Sequence, residues 1–128
     1  MEENNRKSMQ NDENNGSKII NSITNSTVYN KLVRDKIPEV IRLDNQIPII
    51  HFANDEEYRK KLNEKLLEEV KEYNKENNQE ELADILEVIY ALCDLESIDL
   101  NQLEEVRKEK LKKKGGFKDK IILERIDY

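Results

Sequence analysis

The sequence predicts a mainly α-helical bundle, and three observations carry that expectation. Apolar residues recur at helical spacing along three successive stretches. Each stretch starts or stops at a polar or glycine signal, and the β-branched runs are confined to two short segments. Charged residues (39 %) outnumber hydrophobic ones (36 %), so the core must be modest for a chain of 128 residues. A modest core on long helices leaves apolar faces that need cover, which predicts completion by a homodimer or homotetramer.

The elements follow in order. Residues 1–28 are dominated by Asn, Ser and acidic residues and are expected to be a disordered tail, with the domain occupying 29–128. Pro38 suits the first turn of a short helix carrying Val40 and Ile41. Residues 47–52 are short and β-branched, a candidate edge strand because Pro48 offers no backbone donor. Asn54 caps the next helix, with Glu57 completing a capping box, and Leu62, Leu66, Val70 and Tyr73 form its stripe. A polar connector over 74–79 leads to a helix over 80–95 that is apolar on most sides, as a buried helix would be. Asp99 caps a last helix that runs to Lys114 and stops at Gly115-Gly116. Residues 121–126 can form a final strand pairing with 47–52, giving a small two-stranded β element.

Composition excludes several classes of function. The net charge of −6 argues against a DNA or RNA binder, whose affinity comes from Lys and Arg neutralising phosphates. No apolar run approaches the ~20 residues of a membrane span, and the start has no signal-peptide core, so a cytoplasmic protein is expected. One cysteine, Cys93, permits no internal disulfide and reads as a small buried hydrophobe.

The informative residues are carboxylates. Glu69 and Glu72 are three apart on one helix, and Glu81 and Asp84 are three apart on the next, so each pair aims at one point. Glu69 falls beside the Leu62/Leu66/Tyr73 stripe and therefore faces the helix–helix seam. Asp84 sits in an apolar helix, and no Lys or Arg occurs from residue 76 to residue 106. Carboxylates crowded at a seam repel by about 4 kcal/mol per pair at ~4 Å and an effective dielectric of ~20. They protonate, stay apart in water, or enclose a cation. An all-oxygen anionic set selects Mg²⁺, or Mn²⁺, over Zn²⁺, and Mg²⁺ commonly bridges to substrate phosphates. On that reading Asp84→Asn relieves repulsion and raises stability without metal. The plainer alternative stays open: 28 of 128 residues are Asp or Glu, so a solvated acidic face is cheap, and Glu81 suits a first helical turn.

At these residues the chain resembles the MazG-like all-α nucleoside triphosphate pyrophosphohydrolases, whose signature is E-E-x-x-E followed by E-x-x-D. It most resembles the short phosphoribosyl-ATP pyrophosphohydrolase-like proteins, which open with Tyr-Asn-Lys-Leu-Val-Arg-Asp-Lys-Ile-Pro, here 29–38, and close with Gly-Gly-Phe, here 115–117. The likeness spans about residues 29–124. It implies Glu69, Glu72, Glu81 and Asp84 as Mg²⁺ ligands and Glu68 as the catalytic acid or water-orienting group. It also implies Lys110 and Lys114 as phosphate-binding residues, with Lys114 replacing the family's arginine and so losing a bidentate fork. Lys31 and Arg34, beside Lys36 at a helix start, read independently as phosphate partners or as surface ion pairs. The expected activity is release of pyrophosphate and a nucleoside monophosphate from a nucleotide. Phosphoribosyl-ATP hydrolysis in histidine synthesis and a non-catalytic helical interaction module are the alternatives. Tyr90 and Phe117 read as helix and cap contacts, with base stacking the alternative.

Overall fold

A computed structural model of the chain describes residues 25–128. Among these residues four helices follow one another: α1 (Ile37–Leu43), α2 (Asp55–Glu76), α3 (Gln79–Leu95) and α4 (Leu100–Lys114). Among the described residues no helix is long and apolar enough to cross a membrane. The mainly helical expectation holds for these residues, while the disordered tail expected over 1–28 lies almost wholly outside them.

The body is the α2–α3 hairpin, and local chemistry explains its tight turn. Asn77 ends α2 in the left-handed region at φ 52°, which asparagine tolerates better than most residues. Its N–H donates to Tyr73 O at 2.7 Å, and Asn78 then accepts Glu81 N–H at 3.0 Å as the N-cap of α3. Only Asn77 and Asn78 separate the helices, fewer residues than the 74–79 connector expected from sequence. Arg59 near the start of α2 pairs with Glu96 just beyond α3, closing the open end of the antiparallel pair.

Asn54 caps α2 as expected, accepting Glu57 N–H at 2.9 Å, but the Glu57 carboxylate meets His51 Nε2 at 2.8 Å. Asp99 and Gln102 form a reciprocal capping box at the start of α4. Gly115 ends α4 at φ +80°, a conformation a side chain would strain, and its N–H donates to Leu111 O. The buried apolar residues are Ile37 of α1, Leu62 of α2, and Val88 and Cys93 of α3. Lys65, Glu69, Glu81 and Asp84 are buried alongside them, so the α2–α3 seam itself buries four charged side chains beside Leu62, Val88 and Cys93.

Three expectations are corrected. The two-stranded β element does not form: residues 47–52 and 121–126 are without strand pairing, with Ile49 91 % and Ile122 82 % exposed. Strand propensity measures fit to a half-buried sheet, and neither segment meets a partner edge among the described residues. The α3 helix is also not enclosed, because Leu82, Leu86 and Tyr90 remain open on its outer side. Phe117 is fully open rather than a cap contact.

Candidate metal centre

Glu69 reaches the seam from the third turn of α2 before its end, while Glu81 and Asp84 face it from the first two turns of α3. One carboxylate oxygen from each of the three lies within 4.8 Å of the others, and all three residues are buried. Glu81 also belongs to a more open group with Glu72 and Glu76, again within 4.8 Å. The four expected ligands are thus divided between two adjacent groups that share Glu81. Glu76 was missed, although its place one turn beyond Glu72 puts it on the same face.

Burial pushes the Glu69 carboxyl up to about 7, opposed by the Lys65 ammonium and reinforced by Asp84, Glu68 and Glu81. Its ionised form is the costly one, and a cation among these oxygens would favour it. Glu81 has help of another kind, since it lies in the first turn of α3 where backbone N–H groups favour an anion.

Cations come from the segment that crosses the hairpin ahead of α1. Arg34 donates from Nη2 to Asp84 Oδ1 at 2.7 Å, and Lys31 Nζ donates to Glu68 Oε1 at 3.1 Å. Lys61 Nζ donates to Asn30 O at 2.6 Å and fastens the same segment to α2. Asp84 therefore has a positive partner, supplied from fifty positions earlier in the chain. The expectation that Asp84→Asn raises stability is reversed by this pair, because the variant forfeits a buried ionic hydrogen bond.

A cleft of about 200 Å³ opens beside the three carboxylates. Its charged lining is Arg34, Lys65, Asp35, Glu69, Asp84 and Glu87, and Leu32, Leu62, Val88 and Tyr58 are among the rest. Burial, then the charges of Asp94 and Asp35, push the Tyr58 hydroxyl upward, so it remains a neutral donor. Lys65 was also missed by sequence reasoning, though its position four residues before Glu69 on one helix face was readable. Lys110 and Lys114 do not line this cleft: both are exposed on α4, which buries none of its residues. The chain turns away after α3 through Ser97 at φ 57°.

Chemically, this is a set of hard oxygen donors from two helices with cations along one side. The donor set fits a hard divalent ion: Glu69, Glu81 and Asp84 supply oxygens, and Glu72 and Glu76 lie beyond Glu81. Lys31 stands against Glu68, Arg34 against Asp84, and Lys65 between Glu68 and Glu69.

No profile of a known protein family matches the chain, and no solved structure matches it. A 40-residue stretch is 50 % identical to an uncharacterised protein of Mycolicibacterium smegmatis, covering 31 % of this chain and 41 % of that protein. The match thus spans less than half the length of that relative, and its name carries no activity.

Proposed function

We propose that the chain is a magnesium-dependent nucleotide pyrophosphohydrolase that releases pyrophosphate and a nucleoside monophosphate. The observation that carries this reading is the convergence of Glu69, Glu81 and Asp84 from two helices beside a cleft that Arg34 and Lys65 also line. The resemblance of the E-E-x-x-E and E-x-x-D segments to MazG-like hydrolases supports it further. Glu69, Glu81 and Asp84 would hold the ion, with Glu72 on the open side. When bound, the ion would neutralise phosphate charge and lower the pKa of a bound water. Glu68, half-buried and paired with Lys31, would orient that water. Arg34 holds Asp84 in place and, as a lining residue of the cleft, would donate from its other guanidinium N–H groups to a phosphate there. The exposed Leu82, Leu86 and Tyr90 of α3 favour a bundle completed by a second copy of the chain.

A second reading has its own support. Lys65 and Arg34 place protein cations against these carboxylates, as in a non-catalytic helical module with an internal ion-pair network. One experiment separates the two: a panel of nucleotides with Mg²⁺, reading released pyrophosphate, beside melting curves with and without the ion. The hydrolase reading expects turnover on at least one nucleotide, a melting temperature raised by Mg²⁺, and loss of both in Asp84→Asn. No turnover together with no magnesium-induced stabilisation would favour the ion-pair network. Wild-type turnover in Asp84→Asn would refute the ligand assignment.

A further inference from the structure

Lys65 differs from the other cations of the site. It lies one helical turn before Glu69, is only 7 % exposed, and forms part of the cleft wall. Its Nζ is 3.5 Å from Glu68 Oε2 and 3.5 Å from Glu69 Oε1, yet it makes no hydrogen bond. Lys31 and Arg34, by contrast, donate directed hydrogen bonds to Glu68 and Asp84. An ammonium has three N–H donors, and burying such a group without using them is costly. Lysine also rotates about a flexible stem, so its donors can follow an oxygen that enters the cleft.

We propose that Lys65 is a substrate-binding residue whose ammonium donates to a phosphate oxygen in the cleft between the 32–35 segment and the α2–α3 seam. This deepens the hydrolase reading and rests on it, because the anion would then lie beside the carboxylates proposed to hold the metal. It also moves the phosphate-binding role from Lys110 and Lys114, outside the cleft, to a lysine within it. As a compact charge, Lys65 recognises the phosphate whatever base the ligand carries. Without ligand, the same ammonium tempers the repulsion among Glu68, Glu69 and their neighbours, so it competes with a divalent ion for them.

The test uses the full chain, Mn²⁺ alone, and inorganic pyrophosphate in the presence of Mn²⁺, all by titration calorimetry. Lys65→Met is expected to weaken pyrophosphate binding by about tenfold or more, the worth of a charge-assisted hydrogen bond. Mn²⁺ alone should bind the variant at least as tightly as wild type, a result that a merely structural role would not produce. In the wild-type protein, the Lys65 ¹⁵Nζ resonance, assigned by its loss in Lys65→Arg, should shift when pyrophosphate is added. That measurement decides the matter if Lys65→Met does not fold. Equal pyrophosphate binding by variant and wild type, or an unmoved resonance at saturation, overturns the role of Lys65 and leaves the hydrolase reading intact. Wild-type protein that binds neither Mn²⁺ nor pyrophosphate overturns both.

Discussion

Two ion pairs of almost equal length show how differently the hairpin and the C-terminal region are built. Arg34 and Asp84 meet at 2.7 Å with Asp84 buried, whereas Arg107 and Glu104 meet at 2.6 Å on the open surface of α4. In the hairpin, water has been replaced by protein, so each charge depends on its partner. On α4 either partner can be lost to water with little consequence. The same contrast runs through the apolar residues. Leu62 and Val88 are covered, while every residue from 99 to 128 is exposed, Leu100, Leu111 and Ile122 among them. Stability in the single chain is therefore concentrated in the hairpin and the segment strapped across it.

The sharpest way to break this comparison is to remove one cation from each region. Arg34→Met leaves Asp84 charged and buried, and should lower unfolding free energy by about 3 kcal/mol, the low end for buried pairs because Arg34 keeps a partly open side chain. Arg107→Met should leave the urea midpoint unchanged within error. Equal effects of the two substitutions would mean that the buried position of Asp84 carries no energetic weight.

A smaller effect comes from Glu69. Its folded value of about 7 stands above its ordinary 4.5, so the folded protein holds this proton more tightly than the unfolded chain does. The associated stability is fully present below pH ~4.5 and is lost as pH rises through about 7. Without metal, Glu69→Gln should remove that component of the pH dependence. The variant should be more stable than wild type at pH 8 by roughly 1–2 kcal/mol, after allowance for water reaching the cleft. A divalent ion favours the ionised carboxylate, so Mg²⁺ should stabilise wild type more at pH 8 than at pH 5, and the variant at neither. Melting curves at the two pH values, with and without Mg²⁺, test both halves. A wild-type curve insensitive to Mg²⁺ at pH 8 counts against a metal at Glu69.

Much of the hairpin was legible because its signals are local. Leu62 and Leu66 mark the inner face of α2, Asn54 and Asp99 are caps in their own right, and the three-residue spacing of Glu81 and Asp84 places both on one face of α3. What was not legible depends on distant partners or on choices among equivalent residues. The partner of Asp84 lies fifty positions away, and nothing near Asp84 announces Arg34. Asn74, Asn77 and Asn78 are all credible turn residues, and only the assembled hairpin selects Asn77 for the left-handed position and Asn78 for the cap. Residues 47–52 and 121–126 have strand composition, but a strand exists only where another edge receives it. The apolar pattern of α3 marks a helix that wants cover, while the described residues supply that cover on one side only.

The finest comparison sets two helix caps of the same kind in the two regions. Asn78 accepts Glu81 N–H at 3.0 Å, and Asp99 accepts Asn101 N–H at 2.7 Å within its capping box, so each satisfies backbone donors at a helix start. Replacing either by alanine costs its helix about 1 kcal/mol locally. For Asn78 that loss falls on the hairpin turn, where α2 and α3 must form together, so Asn78→Ala should lower the global urea midpoint. For Asp99 it falls on a helix that buries nothing. Asp99→Ala should therefore speed amide exchange along α4 while leaving the global midpoint in place, because α4 can open without the hairpin. If Asp99→Ala instead shifts the global midpoint as far as Asn78→Ala does, α4 is coupled to the hairpin in solution. The cover missing from one chain would then be supplied by a partner that joins the two regions into a single cooperative unit.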